Sequence, residues 1–182
     1  MKKTLFVFAV FLMGGLTAGA QEQPKLEAFL GYSYVRFIPP SSSGITSFGL
    51  NGGSVSISYN PIHALGFVAD IGGYRAGNIA GVPVSLNMYT YMFGPKVALR
   101  RGRFTPFAQA LFGAAHGAVS SSGTGSASGN DFAMALGGGL DARVTRRVAI
   151  RLFQAEFLNI RESGTHVNNA RISAGVVFRF GE

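Results

Sequence analysis

Beyond about residue 25, apolar and polar side chains alternate with period two, and helical periodicity is hard to find. Successive side chains of a strand point to opposite faces, so this alternation predicts strands with one apolar and one small or polar face. Strand one spans about 26–37, with Leu26, Ala28, Leu30, Tyr32 and Tyr34 against Glu27, Phe29, Gly31, Ser33 and Val35. Strand two spans about 49–59 and sets Val55, Ile57 and Tyr59 against Ser54, Ser56 and Ser58. Strand three, about 65–75, opposes Leu65, Phe67, Ala69 and Ile71 to Gly66, Val68, Asp70 and Gly72. Strand four, about 86–100, opposes Tyr89, Tyr91, Phe93, Val97 and Leu99 to Thr90, Gly94, Lys96 and Ala98.

The second half continues the pattern with two irregular members. Strand five, about 105–119, has no clear phase, because Gln109 and His116 fall on opposite parities. Strand six, about 131–144, opposes Phe132, Met134, Leu136, Leu140 and Ala142 to Ala133, Ala135, Gly137, Gly139, Asp141 and Arg143. In strand seven, about 148–161, Arg151 is odd while Gln154 and Glu156 are even, and a β-bulge near Leu152-Phe153 would reconcile them. Strand eight, about 169–180, opposes Ile172, Ala174, Val176, Phe178 and Phe180 to Arg171, Ser173, Gly175, Val177 and Arg179. Short turns at 60–64, 101–104 and 145–147 alternate with longer polar or Gly-rich stretches at 38–48, 76–85, 120–130 and 162–168. Such spacing predicts an all-β fold, an eight-stranded antiparallel up-and-down barrel with short turns at one end and long loops at the other.

Composition decides which face is inside. Of 182 residues, 47% are hydrophobic and only 13% charged, about half the usual charged share. An eight-stranded barrel has an interior just wide enough for side chains to fill. Gly, Ala and Ser with a few long charged residues suit that interior, whereas the Leu, Phe and Tyr face would overfill it. The large apolar face is therefore expected to meet lipid, since only helices and closed barrels satisfy their backbone inside a bilayer. The alternative is a secreted soluble barrel that holds a hydrophobic ligand.

The N-terminus points to export. Met1-Lys2-Lys3, an apolar run from Leu5 to Met13 and Ala18-Gly19-Ala20 form a signal peptide over residues 1–20, leaving a barrel domain over 21–182. The apolar run falls well short of the ~20 residues a spanning helix needs. Loss of Lys2 and Lys3 lowers the formal charge from +8 to +6.

At the other end, Ser173-Ala174-Gly175-Val176-Val177-Phe178-Arg179-Phe180 runs polar, x, Gly, x, x, aromatic, x, aromatic. The order resembles the signal read by the outer-membrane barrel-assembly machinery, carried by Ser173, Gly175, Phe178 and Phe180. It also resembles the last strand of the OmpA-like transmembrane barrels. The stretches Thr105-Pro106-Phe107-Ala108-Gln109-Ala110-Leu111-Phe112-Gly113 and Ala133-Met134-Ala135-Leu136-Gly137-Gly138-Gly139-Leu140-Asp141 look like small outer-membrane β-barrel proteins. This resemblance implies a bacterial outer-membrane location, outer-membrane lipids as surroundings, the export translocon and assembly machinery as transient partners, and a monomer. The sequence departs from OmpA in stopping at Glu182, where OmpA continues into a peptidoglycan-binding domain, so cell-wall anchoring is not expected.

Candidate chemistry is sparse. With no Cys, disulfides, zinc-cysteine sites and thiol catalysis are excluded. His63, His116 and His166 lack metal-ligand spacing, and no cofactor is implied. Outer-membrane lipid-modifying enzymes of this size use His/Ser constellations, and His116 with Ser120–Ser122 is the one local candidate, without the tight spacing. Basic residues do not cluster with aromatics, so nucleic acid is not a partner. If periplasmic, the Arg100-Arg101-Gly102-Arg103 and Arg146-Arg147 turns could meet anionic phospholipid. The informative set is inward-facing: Glu27, Asp70, Lys96, Asp141, Arg143, Arg151, Glu156, Arg171 and Arg179. Unpaired charge in a narrow lumen is costly, so these are expected to pair. Pairing makes the network a plug; resemblance to OmpA implies instead a gate that lets small ions through.

Overall fold

The computed structural model describes residues 24–38, 47–77, 84–121, 125–162 and 165–181. The signal peptide expected at 1–20 lies outside them. Eight strands follow one another, β1 (Leu26–Phe37), β2 (Phe48–Tyr59), β3 (Leu65–Ala76), β4 (Val84–Ala98), β5 (Phe104–Ser121), β6 (Gly125–Arg143), β7 (Val148–Glu162) and β8 (Thr165–Phe180). Each pairs antiparallel with its neighbours, and β1 closes on β8 from Leu26↔Phe180 to Arg36↔Ala170. The fold is thus the closed eight-stranded barrel that the alternation predicts.

Burial follows the alternation. Leu30, Ile57, Phe67, Ile71, Tyr91, Phe93, Leu136, Phe157 and Ile172 are exposed on the outer wall, while Ser54, Ser56, Ser58, Asp70, Thr90 and Lys96 are buried inside. In β5 the odd positions Thr105, Phe107, Gln109 and Leu111 are buried, which fixes the phase left open by the sequence. His116 lies on the other parity, its Nδ1 2.8 Å from Asn130 Oδ1 on β6.

In β7 the register shifts between Arg151 and Gln154, and Leu152 and Phe153 are both 49% exposed. Two consecutive residues facing outward let Arg151, Gln154 and Glu156 all face inward. A matching irregularity falls between Leu140 and Asp141 on β6. The barrel turns tightly here, and Gly137-Gly138-Gly139 makes room for it. A Cβ on these residues would run into the carbonyls of Ala155, Phe107 and Phe153.

Two expected loops are instead largely paired. β5 and β6 stay in register out to Ser121↔Gly125, and β7 and β8 out to Glu162↔Thr165. Gly, Ser and Asn are poor strand formers, so these stretches read as loop. Cross-strand hydrogen bonding overrides that local preference. The hairpin of β5 and β6, with 18 and 19 residues, therefore outreaches the 12-residue strands β1, β2 and β3.

Candidate functional site

The lumen is filled in layers, beginning at the end that carries the short turns and both described termini. Closest to that mouth, Glu27 of β1 holds three cations. Lys96 Nζ donates to its Oε2 at 3.0 Å and Arg100 Nη2 at 3.4 Å, while Arg179 Nε stands 3.4 Å from Oε1. Arg100 also donates from Nη1 to the His63 carbonyl at 2.6 Å, tying this cluster to the β2–β3 turn. Two rings form the next layer. Phe107 lies between Lys96 Nζ, 4.8 Å from its centroid, and the Arg151 guanidinium, 4.3 Å away. Phe29 takes the same guanidinium at 4.4 Å. Both contacts fall within cation–π range.

Beyond the rings a continuous chain of bonds crosses the barrel. Arg151 grips Asp141 through Nε at 2.8 Å and Nη2 at 3.2 Å, and donates from Nη1 to Gln154. Gln154 Nε2 donates to Glu156 Oε2 at 2.8 Å, and Gln109 Nε2 donates to Oε1 at 2.9 Å. Arg171, 0% exposed, donates from Nε to Glu156 at 2.7 Å and from Nη1 to Asp70 at 2.8 Å and Tyr74 OH at 3.0 Å. Beside this chain Ser33 Oγ lies 2.8 Å from Ser54 Oγ and 2.7 Å from Ser173 Oγ. Towards the loop end the interior turns apolar: Val35, Leu50, Met88, Leu111, Leu158 and Ile160 belong to one buried cluster.

The charged set expected from the sequence differs from this arrangement at one place. Arg143 is exposed. Its parity is that of Asp141, but it stands where β6 runs into the turn, and its backbone N–H bonds the Arg103 carbonyl at 2.8 Å. Arg100 takes a place in the lumen instead, from a segment that reads as turn. The remaining members, Glu27, Asp70, Lys96, Asp141, Arg151, Glu156, Arg171 and Arg179, are all buried and ion-paired. Sequence reasoning missed the apolar half altogether. Leu50, Leu111, Leu158 and Ile160 carry the inward parity, which was a readable signal, but an apolar residue on the small-residue face attracts no notice.

Of the residues expected to carry an assembly signal, Ser173 faces inward in the serine cluster, and Gly175 sits where a Cβ would meet the Leu30 carbonyl. Phe178 and Phe180 are exposed on the outer wall. Among the described residues no group of His, Asp and Glu could hold a metal ion. The His166 side chain lies outside the described residues.

The model of the outer membrane protein beta-barrel domain matches residues 6–180. The chain belongs to that family. It is a protein of the bacterial outer membrane, with its apolar wall toward lipid. No curated protein matches it in sequence. Among solved structures it resembles Neisserial surface protein A (TM-score 0.71, 16% identity, covering 88% of this chain and 100% of that one). The attachment invasion locus protein Ail of Yersinia pestis gives a TM-score of 0.64 at 20% identity, over 87% of this chain and 99% of that one. For the N-terminal barrel of Pseudomonas aeruginosa OprF the TM-score is 0.52 at 15% identity, over 87% and 99%. Members of this architecture keep short turns in the periplasm and long loops outside. On that rule the Glu27 cluster lies at the periplasmic mouth and the apolar layer toward the cell exterior.

Proposed function

We propose that this protein is a plugged, non-conducting barrel with a structural or surface role, rather than a pore or an enzyme. The observation that carries this reading is the filling of the lumen along its length. Ion pairs and aromatic rings occupy its periplasmic half, and a cluster of buried apolar side chains extends through the outer half. A gate made of swapping pairs would need both halves to part. Opening the ionic half alone leaves Leu50, Leu111 and Leu158 across the path, and an apolar constriction excludes ions by dewetting. The test is single-channel recording in planar bilayers, on the native protein and on Lys96→Ala and Arg171→Ala. Flat traces are expected from all three; steps that appear on loss of either cation would favour the gate.

A non-catalytic role accords with the one described partner of the His116 ring, Asn130 Oδ1 at 2.8 Å, while the side chains of Ser120–Ser122 lie outside the described residues. Unchanged lipid A masses in cells with and without the protein are the expected result. Export by residues 1–20 belongs to the same reading and is checked by intact mass, which should place the mature start at Gln21. Phe178 and Phe180, both turned to lipid, suit recognition by the assembly machinery before closure. Phe180→Ser should slow assembly in cells and leave refolding in detergent intact. The single closed barrel, whose two end strands pair with each other, supports a monomer.

A further inference from the structure

We infer that the periplasmic mouth of the barrel is a binding site for a phosphate-type oxyanion, built by Lys96, Arg100 and Arg179. The charge count comes first. Three buried cations surround one carboxylate, that of Glu27, so this layer carries a surplus of two positive charges. The next acids inward are already committed: Asp141 is held by both nitrogens of Arg151, and Asp70 and Glu156 by Arg171. Phe107 stands between Lys96 and Arg151, and so between the two groups. An uncompensated surplus at such burial is costly. A doubly charged inorganic phosphate would cancel it, and a singly charged phosphodiester headgroup would halve it.

Hydrogen bonding points the same way. Arg179 is 6% exposed, and its Nη2 has no hydrogen-bond partner among the described residues. Its Nε faces Glu27 only at 3.4 Å, outside hydrogen-bonding geometry, and Arg100 Nε also lacks a partner. Guanidinium donors in a fixed fork match the oxygens of a phosphate group better than they match a spherical anion. Arg100 keeps 8% of its side chain exposed, so the cluster sits just beneath the mouth. Around that mouth Lys25, Arg101, Arg103, Arg143, Arg146 and Arg147 are exposed, and no described acid is exposed beside them. Such a rim concentrates anions at the entrance. The oxyanion can come from free phosphate or from the headgroup of an anionic phospholipid in the inner leaflet.

The experiment uses the refolded full barrel with 15N-labelled arginine. Inorganic phosphate is titrated into protein in maltoside micelles, and separate samples are placed in phosphatidylcholine nanodiscs with and without phosphatidylglycerol. Saturable shifts of the Arg179 and Arg100 Nε–H signals with inorganic phosphate support the site with a free oxyanion as source. Shifts seen only with phosphatidylglycerol support it with a headgroup as source. Arg179→Gln should weaken binding by about tenfold or more, as expected for loss of a charge-assisted bond, while Arg36→Gln at the opposite end leaves it unchanged. Arg100→Gln serves as the second variant if Arg179→Gln does not refold, as judged by heat-dependent gel mobility. Signals that respond in neither arm, or binding undiminished in the foldable variant, would overturn the site.

Discussion

Arg171 is the side chain on which the interior depends most. It neutralises Asp70 and Glu156 together, from opposite sides of the lumen. Truncating one partner of a buried ion pair leaves bare charge behind and costs about 3–5 kcal/mol. Arg171→Met should therefore lower the urea midpoint of the refolded barrel substantially. Replacing Asp70 by Asn and Glu156 by Gln in the same chain should return most of the loss, because neutral groups need no counter-charge. Arg143→Ala should change the midpoint little, since that side chain is exposed. The contrast between Arg143 and Arg100 marks the limit of parity as evidence. Parity tells which side of a strand a residue takes, but at the last residue before a turn it no longer says whether the side chain stays under the wall. Arg100 reaches the lumen from just beyond β4 because its long side chain spans to Glu27 and the His63 carbonyl.

Strands obey two separate rules, one for the outer wall and one for pairing. On the wall, lipid decides the cost of charge. Phe93→Arg, near mid-height of the span of β4, should destabilise the barrel by about 2–4 kcal/mol, whereas Leu65→Arg at the turn end should cost about 0–1 kcal/mol. Refolding titrations of the two variants in lipid vesicles would measure the difference. Alternation made the wall legible: apolar residues at every second position of β3 and β4 leave one consistent assignment. Pairing was harder to read. Gly125, Ser126, Ala127, Ser128 and Gly129 carry no strand propensity worth the name, yet β6 begins there because β5 offers hydrogen-bond partners. Close approach at the glycines of β6 leaves no room for a side chain, and Gly138→Val should be resisted, since a Cβ at this position already meets the Phe107 carbonyl. Overpacking of this kind costs roughly 1–3 kcal/mol, readable as an earlier loss of the heat-resistant gel band.

Taken as one body, the barrel separates its tasks by height. The outer wall satisfies the bilayer, the inner half toward the periplasm satisfies charge with charge, and the half toward the exterior holds a buried apolar cluster. The paradox of an apolar yet basic composition resolves in the same geometry. The basic surplus gathers at the periplasmic mouth, where Lys25, Arg101, Arg103, Arg143, Arg146 and Arg147 are exposed and Lys96, Arg100 and Arg179 share a single carboxylate. Both the fold and the ionic half of the lumen could be read from alternation and charge. The apolar half was readable only in part: Leu50, Leu158 and Ile160 carry the inward parity of their strands, but Leu111 does not declare its side because the phase of β5 was open. That apolar layer is what separates a sealed barrel from a pore. Single-channel recording of the refolded protein across a planar bilayer is therefore the decisive measurement. Traces should stay flat at voltages of either sign, and stable, reproducible conductance steps from the native protein would contradict the sealed lumen.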